Sequence, residues 1–314
     1  MATIATAAAR CSSPTRRQLL TRRRLPFSVS FSSAAPPAAV AGFGWDDALR
    51  VAGDGGRGDV SDLSGYFRKV DSCNRGMDKK GDFVKFVVED QVVGYIHKGF
   101  AEHLRDFHDV FTIISGNNGS NTVENVSLQS SLRTPEDRTH AIGEVIKSLG
   151  EMIPGIRNEL YPVTSSYGMP VYFSLERAAA PYFGIKPYGI SCKENIIKEC
   201  EEEAGIPRSM STNATSVGAI SYMDIEGFRY KRDVLFCYDL KLPADFLPNN
   251  EDGEVDSFRL IPVPHAANIV RRTDFFKPNC NLVIIDFLFR HGYIQPDSHG
   301  YLDLLQSLRS GDCS

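Results

Sequence analysis

Alternating apolar and polar positions, followed by one helical repeat, organise the first half of the chain. Two β-rich runs surround a polar turn at Glu89–Gln91, which is the pattern of a hairpin. Farther on, Thr134, Pro135 and two acids open a helix in the order expected for a capped N-terminus. The predicted elements are a hairpin over 83–97, a helix over 101–107, strands over 110–115 and 122–128, and a helix over 134–149. They predict an α+β module over residues 65–175.

The second half of the chain repeats the mixed pattern over residues 176–305. Ser191 or Asn195 can cap a helix that runs to Ala204 and stops at Gly205. The other predicted elements are strands over 181–186, 217–223, 229–240 and 258–263, a helix over 279–290, and a tail over 306–314. The fold class predicted for the whole chain is therefore α+β.

Residues 1–45 differ in composition from everything that follows. They contain no Asp, Glu or Lys but six arginines among many Ala, Ser and Thr. This composition is typical of a disordered organellar transit peptide, and the Ser-rich 27–33 stretch favours the plastid. A basic disordered tail is the alternative. We expect import into the chloroplast stroma, cleavage near residues 40–60, and a linker over 46–64.

Charge and length exclude several classes of protein. The chain carries 35 basic and 39 acidic residues, and its body without the leader would be still more acidic, so we expect no nucleic-acid partner. No apolar run reaches the roughly 18–20 residues that a membrane span needs. The seven cysteines are scattered, as in a reducing compartment. We assign no metal to His97, His103 and His108, and the residues do not identify any protein partner.

One helical stretch concentrates acidic side chains on a single face. Glu199, Glu202 and Glu203 follow the i, i+3, i+4 spacing, so their carboxylates converge within about 5–6 Å. Mutual repulsion between like charges requires an offset, and a hard divalent cation such as Mg²⁺ with oxygen ligands supplies it. The alternative is a solvated acidic face.

The same stretch resembles the Nudix box, Gly-x5-Glu-x7-Arg-Glu-U-x-Glu-Glu-x-Gly-U, where U is aliphatic. The closing positions are filled by Glu199, Cys200, Glu202, Glu203, Gly205 and Ile206. The family's Arg is replaced by Lys198, its first Glu is replaced by Ile190, and Gly184 falls on the opening Gly. The carboxyl half of the motif therefore fits, and the amino half departs from it.

The resemblance extends over most of the chain after Phe83, to plant plastid Nudix hydrolases that carry an extra N-terminal domain. That domain also accompanies thiamine pyrophosphokinase in some fungal proteins. The stretches that carry the likeness include 92–97, 102–109, 156–164, 175–185 and 280–287. It implies a mixed sheet sandwiched between helices and hydrolysis of a small-molecule diphosphate, nucleotide-like or thiamine-diphosphate-like. Oxidised forms, including 8-oxo-dGTP, are the substrates to test first.

The resemblance also implies roles for individual residues. Glu199, Glu202 and Glu203 would hold Mg²⁺ or Mn²⁺, and Lys198 would orient Glu199 without the planar fork of an Arg. Glu202 and Glu203, with Lys198, are the catalytic candidates, and which Glu is the base stays open. A further ligand from the later loop, such as Glu254, is a minor possibility.

The strands expected before the box are missing. The strand predicted over 181–186 runs straight into the loop that precedes the box helix, where the family has two or three more strands. We therefore interpret the chain as a deletion form that lacks roughly 30–50 residues. The alternative is a compact Nudix variant. A shortened sheet also raises a second hypothesis, that the protein is catalytically impaired and binds a ligand or partner.

Overall fold

The protein is seen in a computed structural model that describes residues 4–9, 43–53, 61–116, 123–186, 192–251, 255 and 258–311. In these ranges the helices are α1 (Trp45–Gly53), α2 (Ser64–Cys73), α3 (Lys98–His103), α4 (Pro135–Leu149), α5 (Cys192–Ala204), α6 (Arg208–Ser211), α7 (Val263–Arg272), α8 (Pro278–Arg290) and α9 (Tyr301–Ser307). The strands are β1 (Ile4–Ala9), β2 (Phe83–Val88), β3 (Gln91–His97), β4 (Phe111–Ser115), β5 (Val123–Leu128), β6 (Leu160–Val163), β7 (Phe173–Glu176), β8 (Thr215–Glu226) and β9 (Arg229–Lys241). This mixture confirms the α+β class.

The N-terminal module is built on a four-stranded sheet in the order β3-β2-β5-β4. Strands β2 and β3 form the predicted hairpin, and Glu89 and Asp90 at its turn both have positive φ, as a two-residue hairpin turn of type I′ requires. Strand β5 then returns parallel to β2. Helix α4 begins at the predicted capping residue, where the Thr134 hydroxyl accepts from the Asp137 amide at 3.1 Å as part of a capping box.

The segment predicted as a strand over 181–186 is a run of turns, so that prediction is wrong. Phe183 and Ile185 are buried in the core of the N-terminal module rather than in a second sheet. The Tyr95 amide of β3 donates to the Phe183 carbonyl at 3.0 Å. The two backbones can come this close because Gly94 and Gly184 have no side chain at the contact. A Cβ on either glycine would collide with the main chain of the facing segment. Tertiary packing has therefore overridden the local strand pattern.

The C-terminal region has a three-stranded antiparallel sheet in the order β1-β9-β8. Strands β8 and β9 form the predicted long hairpin. Their pairing runs from Thr215 opposite Asp239 to Glu226 opposite Arg229. Side chains of Tyr238 and Leu240 point to one face, against α5. Leu235 and Cys237 point to the other face, against α2, α8 and α9. The catalytic candidate helix therefore covers one side of this sheet and the helical layer covers the other.

Four further predictions about the chain's organisation need correction. The 46–64 linker contains α1, which packs its buried Ala48 and Ala52 near Ile269 of α7. The strand predicted over 258–263 is irregular up to the start of α7, where Pro262 and Pro264 favour a helix N-terminus over a ladder. The 306–314 tail includes the end of α9 and a bridge from Arg309 to Ser221.

The fourth correction concerns the leader. Residues 1–45 were expected to be disordered and outside the fold, yet Ile4–Ala9 forms β1 on the outer edge of β9. The physical reason is that an edge strand presents unpaired backbone groups that any extended segment can satisfy. None of the helices in the described ranges is both long and apolar enough to cross a bilayer.

Candidate active site

Helix α5 is held on the sheet by a narrow apolar seam. Ile196 and Cys200 are buried and pack with Tyr238 and Leu240 of β9, and half-buried Ala204 extends the seam. Ile197 is buried as well. An apolar seam therefore runs along one side of the helix, with Ile196 as its most buried member, and the opposite side is left for charge.

The C-terminal end of α5 is fixed by the two closing residues of the box. The Ile206 amide donates to the Cys200 carbonyl at 2.9 Å, and the Gly205 amide donates to the Glu201 carbonyl at 3.1 Å. Gly205 has φ +60°, and its bond to the Glu201 carbonyl ends the helix as an αL cap. Ile206 is buried beside Cys200. Glycine and an aliphatic residue are therefore required here by the geometry of the helix end.

The acidic side chains sit where helical spacing places them. Glu199 and Glu203 are half-buried and flank the seam, whereas Glu201 and Glu202 are exposed. Burial, then the charges of Glu203 and Glu199, raise the pKa of the Cys200 thiol to about 11. That coupling places both carboxylates close to one thiol and keeps Cys200 protonated at neutral pH, so it is not a nucleophile.

Lys198 lies on the same helix and contributes an ion pair. Its ammonium is 3.1 Å from a carboxylate oxygen of Glu202, one turn along. The expectation was that Lys198 orients Glu199, so the contact found here places the cation on a different carboxylate of the predicted set. Both side chains of this pair are about half exposed, so the pair is weakly held and can exchange with other partners.

The three carboxylates are not gathered around a common point. Within the described ranges, no group of three or more His, Cys, Asp or Glu side chains has an arrangement that could hold a metal ion. The donor chemistry nevertheless suits Mg²⁺ or Mn²⁺, since all three predicted ligands are hard carboxylate oxygens on adjoining turns. Glu202 would have to leave Lys198 to join Glu199 and Glu203.

Two neighbouring features of the site were not predicted. Glu194, in the first turn of α5, forms an ion pair with Arg208 at 2.7 Å, which ties the helix to α6. The Asn249 amide donates to the Ala204 carbonyl at 3.1 Å, and the Asn249 side chain donates to Glu251 at 2.7 Å. An acidic loop therefore reaches the C-terminus of α5. Its Glu254, considered as a ligand, lies outside the described residues.

The Glu194–Arg208 ion pair and the bond from Asn249 to Ala204 could not be predicted from the sequence, because each joins positions more than a dozen residues apart. The polar, acid-rich composition of 243–253 was a signal that the loop mattered. It did not indicate where the loop would lie.

Two chloroplast proteins of one plant are similar to most of this chain. Nudix hydrolase 20, chloroplastic, from Arabidopsis thaliana is 50% identical over 337 aligned positions, which cover 92% of this chain and 89% of the relative. The chain belongs to the Nudix hydrolase family. Nudix hydrolase 24, chloroplastic, from the same plant is 52% identical over 298 positions, covering 81% of this chain and 80% of that protein. The chloroplastic names of these relatives confirm the predicted plastid destination of this Nudix protein.

Two further matches concern parts of the chain. Residues 65–187 match a family model described as a domain of unknown function, DUF4743. An uncharacterized protein of Saccharomyces cerevisiae is 40% identical over 132 positions, covering 38% of each chain. The family model coincides with the N-terminal module and ends where the turns around Phe183 have just completed its core.

Both alignments are longer than the part of this Nudix protein that they cover. The first alignment is 337 positions long, although the whole chain has only 314 residues. Since 92% of the chain is about 289 residues, about 48 aligned positions have no counterpart here. The second alignment leaves about 44 such positions. Both values agree with the roughly 30–50 residues expected to be missing.

Proposed function

We propose that this Nudix hydrolase cleaves a diphosphate linkage in a nucleotide-like or thiamine-diphosphate-like compound, with Mg²⁺ or Mn²⁺ as cofactor. Oxidised compounds, including 8-oxo-dGTP, belong to the same substrate class. The observation that carries the proposal is the acidic helix α5. It combines three carboxylates at i, i+3 and i+4, an αL cap at Gly205, and a seam that fixes it to the sheet.

The position of each α5 residue suggests its role in binding the metal and activating water. Glu199 and Glu203, half-buried beside the seam, are the better fixed ligands, because their neighbours restrict their rotamers. Glu202 is exposed and could hold the metal or accept a proton from the attacking water. Lys198 would neutralise part of the carboxylate repulsion, through its pair with Glu202, until the metal binds. When bound, the metal supplies Lewis-acid stabilisation of the phosphoryl oxygens.

A metal-binding experiment tests the ligand set. Isothermal titration with Mn²⁺ should show weaker binding for Glu202→Gln and for Glu203→Gln than for the parent chain. Glu201→Gln is the matched control, because it removes the same charge from an exposed position on another face of α5. Equal Mn²⁺ affinity in all three variants would reject the proposed site.

A second candidate function follows from the shortened sheet. Missing strands remove one wall of a substrate pocket and loosen the support of α5, so the protein could instead bind a ligand or partner with little turnover. A misplacement of reacting groups on the order of 1 Å can reduce a rate by about 10²-fold. The observation that favours this candidate is the gap of about 48 positions in the alignment with its relative.

Restoring the missing segment distinguishes the two functions. The relative's unmatched residues would be inserted between Lys186 and Cys192, and hydrolysis of a panel of diphosphates would be measured with Mg²⁺ or Mn²⁺. A rise of about 100-fold would favour an impaired natural form. Turnover within tenfold of the restored chain would favour a compact, active hydrolase.

A further inference from the structure

The two edges of the C-terminal sheet are closed in different ways. The outer edge of β8 is covered by the folded body. The Ile225 amide donates to the Arg75 carbonyl at 3.0 Å, and the Ser221 amide donates to the Leu308 carbonyl at 3.0 Å. Gly311 lies so close to this edge that a Cβ would collide with the main chain of Tyr222. This edge stays closed whatever happens to the leader.

The outer edge of β9 is closed by the leader alone. Strand β1 pairs antiparallel with it in six positions, from Ile4 opposite Lys241 to Ala9 opposite Phe236. Within the described ranges, β8 and β1 are the strands that pair with β9, so β1 is the cover of its outer edge. Removal of a transit peptide after import would take β1 away. The backbone groups of 236–241 would then be an unpaired edge.

We infer that the β9 edge of the processed protein pairs with β9 of a second copy of this chain. A two-fold axis through Tyr238 would give an antiparallel ladder in which facing residues lie on the same side of the sheet. Tyr238 then faces its own copy, and Phe236 faces Leu240. Such aromatic and aromatic–aliphatic cross-strand pairs are stabilising. They lie on the α5 side, where Tyr238 and Leu240 already belong to the seam.

The pattern of side chains selects this register over its neighbour. Centring the axis on Asp239 would set two carboxylates directly opposite each other, which is unfavourable. With the axis at Tyr238, Asp239 faces Cys237 instead and keeps its contacts with Arg290 at 2.7 Å and His291 at 3.0 Å. The stretch of β9 that accepts β1 would therefore accept a copy of β9, and the register centred on Tyr238 avoids facing carboxylates.

The leader would act as an intramolecular competitor. It offers the edge the same backbone hydrogen bonds as a second copy does, and its tether raises its effective concentration. The uncleaved chain is therefore expected to be monomeric. Because a six-residue strand pair makes a small interface, the processed dimer would be weak and would form in the micromolar range.

The test uses the full chain with a leader that cannot pair. In Thr6→Pro/Ala7→Pro, two adjacent prolines guarantee that at least one backbone donor toward β9 is lost, because successive N–H groups point to opposite sides. Sedimentation equilibrium should show a monomer for the parent and a monomer–dimer equilibrium for the variant, at concentrations up to about 200 µM. Ser12→Pro/Ser13→Pro, outside β1, is the matched control and should remain monomeric.

Two readouts separate a specific dimer from non-specific aggregation. Hydrogen exchange at amides 236–241 should slow as the variant dimerises, and a synthetic peptide of residues 4–9 should return it to the monomer. The inference is overturned if the variant stays monomeric with unprotected amides, or if it aggregates without protection there. It is equally overturned if the parent dimerises as strongly as the variant.

Discussion

The N-terminal module and the α5 side of the C-terminal sheet differ in the size of the apolar core that holds each together. The module has one continuous core of 25 buried residues, which includes rings from Phe86, Phe100, Phe111 and Phe183. The seam beneath α5 has seven. The module is thus a rigid base, while the helix with the candidate carboxylates rests on a thin layer.

The boundary between the two regions is well packed, in contrast to the seam. Phe228, at the β8–β9 turn, contacts the rings of His97 and Phe100 in the module. Arg232 of β9 lies over the rings of Tyr95 and Tyr230 and donates to the Gly184 carbonyl at 3.3 Å. One end of the long hairpin is therefore anchored in the module. The other end, near Tyr238, depends on α5 and on the leader strand.

The largest expected effect on stability comes from truncating a large side chain in the module's core. Phe183 is fully buried, with ring centroids of Phe86 and Phe100 at 5.6 and 5.8 Å. Phe183→Ala should lower the free energy of unfolding by about 3–5 kcal/mol, measured by urea denaturation. Ile196→Ala in the seam should cost about 2 kcal/mol, because partly exposed neighbours can close the space.

The control for this pair is Leu260→Ala, at a side chain that is 71% exposed and should change stability by less than about 0.5 kcal/mol. If Ile196→Ala proved as costly as Phe183→Ala, the contrast between a thick and a thin core would be wrong.

A smaller effect is expected at the buried carboxylate of the helical layer. Asp286 of α8 accepts from Arg290 and Arg309, each at 2.7 Å, and so links α8 to the segment that closes the β8 edge. Asp286→Asn should cost about 1.5–3 kcal/mol, since both bonds involve charged groups. Thermal unfolding measures the loss, and exposed Asp303→Asn should leave it unchanged. Equal behaviour of the two variants would mean that this link contributes nothing.

Glycine at the end of α5 allows a more local comparison. Gly205 and Gly227 have φ of +60° and +56°, so alanine at either should cost about 1 kcal/mol. Only Gly205 ends the acidic helix, and a Cβ there would lie 3.2 Å from the Asn249 carbonyl oxygen. Gly205→Ala should therefore speed hydrogen exchange in α5 and weaken Mn²⁺ binding, while Gly227→Ala should do neither. Loss of Mn²⁺ affinity in both variants would argue against a local effect.

The smallest expected effect is a pH dependence of stability that comes from His97, at the boundary of the two regions. The ring nitrogen Nδ1 of His97 accepts from the Gly99 amide at 2.9 Å and caps α3. Burial lowers the pKa of His97, an effect to which Lys98 adds and which Asp82 opposes. The unfolded state then binds the proton more readily than the folded state does. The contribution of His97 to folding stability is therefore complete above about pH 6.5 and declines as the pH falls.

His97→Asn keeps a capping acceptor and removes the titration, so the loss of stability between about pH 7 and 5 should become shallower, by less than about 1 kcal/mol. Urea denaturation across that range measures it, with exposed His108→Asn as the control. An unchanged pH profile in His97→Asn would show that His97 does not contribute to the pH dependence of stability.

Local patterns were sufficient wherever a short stretch of chain settles its own structure. The turn at Glu89–Gln91, the capping box at Thr134 and the Gly205 helix stop all depend on residues within a few positions, and all three were predicted correctly. The spacing of the α5 carboxylates belongs to the same class, because helix geometry alone places Glu199, Glu202 and Glu203 on adjoining turns. Their use as metal ligands stays a prediction.

By itself, the sequence thus determined the α+β class and the acidic helix with its stop at Gly205. Only the tertiary structure decided that Phe183 and Ile185 serve the N-terminal core, that Lys198 pairs with Glu202, and that Ile4–Ala9 covers the edge of β9. The reason is physical. Which segment is buried, and which strand pairs with an edge, depends on segments that are distant in the sequence. A local pattern carries no information about those contacts, because they form only when the chain folds.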